Sequence, residues 1–427
     1  MLTEYGWRVP FRLNARAVGN HWVEAAGAVY LTGRDLPPEP GRQWRLRGRV
    51  LPSEEVGNPF GFAWSAYLAE HDLIASMRAY ELSPLGESAP ISRLHTVRAW
   101  LSQRLAASMS AVYGPLYAQL LDSLVLGMHG SPLPKTLTEQ FRRAGTIHLM
   151  VVSGSQVALL GGILLFPLWL SVSGRAQTTY PRARMLLLLL SLPILGLYVA
   201  LADRGSSVDR ALLMGLLMTL AVFLALSPLA RTRAFHPDGL TLLGAAGLVI
   251  LIGRPATLFG PSMQLSFAAV FGLLTLTPVF MRLLRRRLGP AALLVSATLG
   301  AQLMTYPVLA WHFGNIPLLA PLTNLIAVPL VAALLPLGLL TIVFAVVAPP
   351  VAILLNIINV ALMNGLLLVS AVAARLPFAS LPLVIHSPWL LLLYLALLAA
   401  GARALSRWLD TREEGWAVPA GREPVMW

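Results

Sequence analysis

The chain has no cysteine, which removes disulfides, thiolate metal sites and a cysteine nucleophile together. Charge is almost as scarce. Only 12% of its 427 residues are Asp, Glu, Lys or Arg, where a soluble domain carries about a quarter. Hydrophobic residues make up 56% of the chain and mean hydropathy is +0.69. Such a composition excludes an ordinary soluble domain and argues for a polytopic membrane protein. The eight histidines (21, 71, 95, 129, 148, 236, 312 and 386) are dispersed without metal-ligand spacing, so no metal is expected. Glycine-rich phosphate loops and a G-x-S-x-G elbow are also missing, which argues against a nucleotide cofactor and against an enzyme. Met1–Pro10 is polar and has no apolar stretch, so no secretory signal is expected there.

What charge there is has a pattern. Residues 1–97 hold ten Arg against ten Asp plus Glu, so the net charge of +13 comes entirely from the rest of the chain. The first 90 or so residues read as short strands. "FRLNARA" alternates Phe11, Leu13 and Ala15 with Arg12, Asn14 and Arg16, and "GRQWRLRGRV" sets Trp44, Leu46 and Val50 against Arg45, Arg47 and Arg49. "VEAAGAVYLTG" supplies another strand between them. Gly- and Pro-rich turns separate these strands, so residues 1–92 are expected to form a small OB-like β-barrel. The two arginine faces would hold phosphates if their strands were neighbours; otherwise they are solvated outer faces.

Residues 93–147 have helical periodicity with scattered charge and read as amphipathic helices at the membrane interface. From His148 the apolar runs follow quickly. Nine spans are expected, at about 148–171, 184–202, 207–228, 239–253, 263–281, 290–311, 328–348, 350–374 and 387–404. "GNIPLLAPLTNLIAVP" (314–329) is broken by Pro317, Pro321 and Pro329 and is expected to be re-entrant or interfacial. With the β domain outside, the predicted inner loops hold twelve arginines, among them Arg282, Arg285, Arg286, Arg287, Arg403 and Arg407; the outer loops hold four. That bias places the C-terminus in the cytoplasm. Residues 148–408 are the expected membrane domain and 409–427 a basic-to-mixed tail.

Polar residues inside these spans are the candidate functional groups. In "TIHLMVVSGSQVALL", Ser155 and Gln156 share a helix face with His148. Such a face serves either a polar path or, through Ser153, Gly154 and Ser155, close helix packing. Arg210 stands in "ADRGSSVDRALLMGLL" beside two carboxylates. Gln264 and Ser266 begin a span in "PSMQLSFAAVFGLL", Gln302 lies mid-span, and Asn324 lies between Pro321 and Pro329. Intramembrane amides act as glue between helices or as path lining. A hydrolase built on Ser153, His148 and Asp203 is poorly supported, because five residues separate His148 from Ser153 and a helix favours three or four.

Four stretches carry a resemblance to a known family. "FRRAGTIHLMVVSGSQV", "SSVDRALLMGLL", "PSMQLSFAAVFGLL" and "AQLMTYPVLAWHFGNIPLLAPLTNLIAVPLVAALLPLGLL", in this order, resemble the motif blocks of the ComEC family of competence proteins, and "NPFGFAWSAYLAEHDLIASM" is similar to that family's segment after its OB-type domain. The resemblance implies a cell (inner) membrane channel that passes single-stranded DNA into the cytoplasm during natural transformation. His148, Ser153, Gln156, Arg210, Gln264, Ser266, Gln302 and Asn324 would then line the DNA path within membrane lipid. Arg12, Arg16, Arg45, Arg47 and Arg49 would bind DNA outside. A cytoplasmic ATP-driven motor, an external DNA receptor and a separate nuclease are the implied partners. The departures are Gln156 where the family has a second histidine, no span ahead of the β domain, and no metallo-β-lactamase-like domain at the end. The rival readings are a transporter for a small anion or lipid and an intramembrane hydrolase.

Overall fold

A computed structural model describes residues 7–18, 21–33, 43–51, 73–85, 93–127, 133–150, 238–385 and 387–414, together with Leu68 and scattered positions between Gln156 and Leu217. Near the N-terminus, β1 (Trp7–Val18), β2 (His21–Gly33), β3 (Trp44–Leu51) and β4 (Leu73–Pro84) form one sheet in the order β1-β2-β4-β3. β1 and β2 make an antiparallel hairpin, β3 and β4 pair antiparallel, and β2 pairs with β4 in parallel. The arginines of β3 are exposed and Trp44 and Leu46 half-buried, as a period of two requires. Val50, expected to point inward with them, is 56% exposed, one residue from the end of an edge strand.

Two expectations for this region change. The described strands form an open sheet with β1 and β3 at its edges, not a closed barrel. β4 was not foreseen, because "LIASMRAYELSP" starts with a mixed apolar run and pairs in parallel with a distant strand, leaving no hairpin signal.

The helical region begins with α1 (Arg93–Tyr113), α2 (Pro115–Val125) and α3 (Lys135–Ala144), then a single 3-10 turn, Ile147–Leu149. It continues with α4 (Gly239–Gly253), α5 (Pro261–Thr275), α6 (Thr277–Leu288), α7 (Ala291–Phe313), α8 (Ala320–Val347), α9 (Pro349–Arg375) and α10 (Pro388–Glu414). The short strands β5 (Asn315–Ile316) and β6 (Leu381–Pro382) join α7's end to α10's start. Among the described residues four helices, α7 to α10, are long and apolar enough to cross a bilayer, and α5 with α6 makes a fifth if that pair, bent by 53°, is one span. These helices fit a membrane protein. The nine expected spans become four or five here, because most of 148–171, 184–202 and 207–228 lies outside the described residues and α4 has only 15 residues.

The segment 314–329 is a further correction. Only its first residues leave the helix; from Ala320 the chain is already α8, with Pro321 in the first turn and Pro329 and Pro336 inside. A proline in the first turn loses no intrahelical bond, and interior prolines are tolerated where neighbouring helices satisfy the freed carbonyls.

The main core brings the early helices against the late ones. Leu105 and Met109 of α1 and Leu121, Leu124 and Val125 of α2 are fully buried with Leu334, Leu335 and Met363 of α8 and α9. Gly338 of α8 makes this approach possible, since a Cβ there would sit 2.6 Å from Val125 Cγ2. Polar side chains tie the same helices: Asn356 Nδ2 donates to Ser108 O at 3.2 Å, and Asn359 Nδ2 donates to Thr341 Oγ1 at 2.9 Å. By contrast, the apolar window of α10 buries none of its residues within the protein. Trp389 (75%) and Leu397 (64%) are exposed on it, as a lipid-facing helix requires.

Candidate functional site

The described parts of three motif stretches meet at one end of the helical region. α3 ends on Gly145, whose φ of 74° places it in the left-handed region, and its N–H bonds back to the Arg142 carbonyl. A Cβ on Gly145 would collide with the Ala320 Cβ and lie 3.0 Å from Pro317 Cβ. The "FRRAGTIHL" turn is thereby seated on the loop that opens α8. His148 follows three residues after this contact, on the 3-10 turn, and is exposed. Asn324 lies one helical turn beyond Ala320 and is 4% exposed.

The same loop reaches the third stretch. His312, near the end of α7, lies 2.7 Å from Gln264 Oε1 through its Nε2. Gln264 Nε2 in turn donates to the Leu258 carbonyl at 3.0 Å. Gln264 therefore bridges a ring nitrogen and a backbone carbonyl at the start of α5. Since Pro317 stands five positions after His312, the segment "HFGNIPLLA" links both contacts. Deeper along these helices α5 crosses α7 at Gly272 and Gly300, where a Cβ on Gly272 would strike the Gly300 carbonyl oxygen. Glycine here lets two helices approach as closely as packing in membranes favours.

The expected path residues divide by how their polar atoms are satisfied. Gln156 is buried, and its Nε2 faces the carbonyls of Leu149 at 3.2 Å and Leu124 at 3.4 Å, so its amide ties the segment to α2. Gln302 Oε1 and Asn324 Oδ1 are buried without a hydrogen-bond partner, as are Thr277 Oγ1 and Ser296 Oγ beside the glycine crossing. Burying such an acceptor unpaired costs about 1–3 kcal/mol. Ser266 is half-buried on α5. Ser153 and Arg210 lie outside the described residues. His312 was missed from sequence, because a lone histidine ending a span gives no sign of a partner 48 positions away. Asp122 was missed too: its Oδ1 is buried and unpartnered on α2, and burial raises its pKa against the opposing Ser102 hydrogen bond and Arg98 charge.

Around this end, α3 is held to α9 by Gln140 Nε2 donating to Leu367 O at 3.1 Å and by the Thr146–Ser370 hydroxyl pair at 3.1 Å. Its outer face carries Glu139 paired to Arg142 at 2.7 Å; the Arg142 hydrogen bond holds the Glu139 carboxyl below its ordinary pKa.

On the sheet, the two arginine groups do not share neighbouring strands. β1 carries Arg12 and Arg16, β3 carries Arg45, Arg47 and Arg49, and β2 and β4 separate them. Arg16, Arg45, Arg47 and Arg49 are exposed; the Arg12 side chain is outside the description, its backbone standing opposite Ala28. Arg78 of β4, absent from the sequence reading, is exposed directly opposite Arg49. Among the described residues no group of three or more His, Cys, Asp or Glu is placed to hold a metal ion.

A family model described as "Competence protein" matches residues 124–408, which takes in the four motif stretches of the helical region but not residues 58–77. The chain is similar to "ComE operon protein 3" of Bacillus subtilis (strain 168), with 27% identity over 291 residues, covering 68% of this chain and 34% of that protein. It thus spans about a third of that relative's length. No solved structure matches. With its helical region matched from α2 into α10, the chain belongs to the competence protein family, the ComEC family that its motifs resemble.

Proposed function

We propose that this chain is the membrane core of a DNA-uptake channel, passing single-stranded DNA inward across the cell membrane during natural transformation. The observation that carries this reading is the meeting of motif stretches around residues 312–324, where Gln264, His312, Gly145 and Asn324 come to one end of the bundle. Neutral amides and an imidazole suit a mouth for a polynucleotide, since they hydrogen-bond bases and phosphates in turn without holding either tightly. His148 and Asn324 flank that mouth. Ser266 and Gln302 continue the path, Ser153 and Arg210 complete it, and Gln156 braces its wall. The open sheet, on the outer side, would guide the strand with Arg12, Arg16, Arg45, Arg47 and Arg49, together with Arg78. A cytoplasmic ATP-driven motor would supply force, an external receptor would deliver DNA, and a separate nuclease would remove the other strand.

The test is a transformation assay in a strain lacking this gene, rescued by wild type, His148→Ala or Gln264→Ala. Wild type should restore transformation, and each variant should reduce it about tenfold, the effect of losing ~1.4 kcal/mol from one binding step. Full rescue by both variants at equal membrane abundance would overturn the reading.

A further inference from the structure

The turn that follows α9 holds a side chain the fold does not need there. Ala379 N–H closes the turn Leu376–Ala379 on the Leu376 carbonyl at 3.2 Å, with Pro377 in second place and Phe378 in third. Phe378 has a φ of 59°, in the left-handed region where glycine is the usual choice. Among the described residues it is the one non-glycine with positive φ. Packing does not offset that strain: Phe378 is 76% exposed, whereas Ala379 beside it is buried. The turn is nonetheless firmly held. Ser380 Oγ donates to Asn315 Oδ1 at 2.7 Å, β6 pairs Leu381 with Ile316, and Leu383 N–H donates to the Gly314 carbonyl at 3.2 Å. Those partners belong to the 312–324 stretch, where Gln264, Gly145 and Asn324 also meet. Just before the turn, Ala373 and Ala374 pack against Ala144, the residue preceding Gly145. A strained aromatic ring is thus presented beside the mouth by a turn tied to it on two sides. Arg375 stands three residues before Phe378, within roughly 11 Å by chain length, and is exposed as well.

We propose that Phe378 is a stacking platform for the bases of single-stranded nucleic acid at the mouth, with Arg375 meeting a backbone phosphate of the same stretch. The proposal rests on the channel reading and adds to it a contact with base faces, which the amides do not supply. Every base has a π-face, so an exposed ring fixed in direction stacks on any sequence. A single arginine in water steers a phosphate without gripping it, since salt screens the attraction. Strain in the backbone with nothing buried in return marks a place where function sets the conformation. A lipid anchor does not require it, because a side chain that only dips among acyl chains works from an ordinary backbone. Interfacial anchors are also chiefly Trp and Tyr, whose polar atoms reach the headgroups, as Trp389 at the start of α10 can. Nucleic acid is therefore the favoured occupant.

The full chain in phosphatidylcholine nanodiscs tests this by fluorescence anisotropy, with a labelled oligothymidylate and with an abasic strand of equal length. Wild type should bind the strand with bases more tightly. Phe378→Gly should weaken that binding about tenfold, as expected for one lost stack, and leave the abasic strand unaffected. Its Tm should stay level or rise, because glycine relieves the turn. Phe378→Asn, which tolerates the same φ, serves if the glycine variant fails to fold. Phe378→Trp should bind as wild type does, and Trp389→Ala, at a position 75% exposed, should change nothing. A merely structural Phe378 would instead move stability and binding in the same direction. Unchanged oligothymidylate binding by the Gly and Asn variants, or an equal loss for the abasic strand, would overturn the proposal and leave the channel reading standing. Failure of wild type to bind either strand would overturn both. Quenching of Phe378→Trp fluorescence by brominated lipid, unaltered when oligothymidylate is added, would overturn the proposal in favour of a membrane contact.

Discussion

The two ends of the helical region differ in their polar groups: amides and an imidazole at one, arginines at the other. At one end Gln264, His312, His148 and Asn324, none of them a fixed charge, lie about the loop before α8, with the Glu139–Arg142 pair on the outer face of α3 around them. At the other end Arg282 pairs with Asp410, and Arg285, Arg286, Arg403 and Arg407 are exposed on the same two helices. Fixed cations hold phosphate strongly and are screened by salt, whereas amides bind weakly, directionally and almost independently of salt. On the function proposed above, a strand that must keep moving needs the second kind of contact.

The comparison is broken most severely at Gly145. Its left-handed φ and the Ala320 side chain against it leave no room for a β-carbon. Gly145→Val is expected to cost about 2–6 kcal/mol, from backbone strain and overpacking together, read as a lowered Tm in detergent. The mouth should come apart and transformation should fail.

A smaller effect is expected between the ends. Gly272→Ala drives a methyl group into the Gly300 carbonyl and should cost about 1–3 kcal/mol. Gly401→Ala on α10, which meets no atom within 4 Å, should be neutral or slightly stabilising in the same melting experiment. Equal effects from the two would deny that the α5–α7 crossing needs glycine.

Next comes the Gln264–His312 pair. A double-mutant cycle of Gln264→Leu and His312→Leu should give a coupling of about 0.6–1.7 kcal/mol, the range of hydrogen bonds between membrane helices. Additive single effects would mean that the 2.7 Å contact carries no energy.

The smallest effect belongs to α3. Glu139 and Arg142 are each about half exposed at the side chain, so solvent screens their attraction and Glu139→Gln should cost no more than about 0.5 kcal/mol at neutral pH. The Glu139 pKa is lowered in the folded chain, so its contribution is present above the ordinary value of 4.5 and fades as pH falls below it. Melting of wild type and variant should therefore converge in acid; a difference that grew as pH fell would reverse the assigned sign.

Much of this was legible in the sequence, and the misses have physical causes. Arg45, Arg47 and Arg49 were assigned outward because a strand's period of two is local, and they are exposed. α7 and α9 began and ended within a few residues of their expected limits, since apolar length sets a span. Pro317, Pro321 and Pro329 suggested a broken segment, yet only Pro317 lies outside α8; a proline's effect depends on whether its turn has a bond to lose. Neither β4 nor Arg78 was foreseen, because a parallel strand is paired by a crossover that local alternation does not encode. His312 and Asp122 took their surroundings from segments far away in the chain, where no spacing rule reaches. Gln264 and Asn324 stood out from sequence because an amide in an apolar run is costly wherever it lands.

The central claim is tested most directly by placing a photo-crosslinking amino acid at single positions and illuminating cells while labelled DNA is being taken up. A probe at His148 or Gln264 should capture single-stranded DNA, and a probe at Ile357, exposed on the α9 surface, should capture none. Capture at Ile357 equal to that at Gln264, or none at either mouth position during active uptake, would contradict the account.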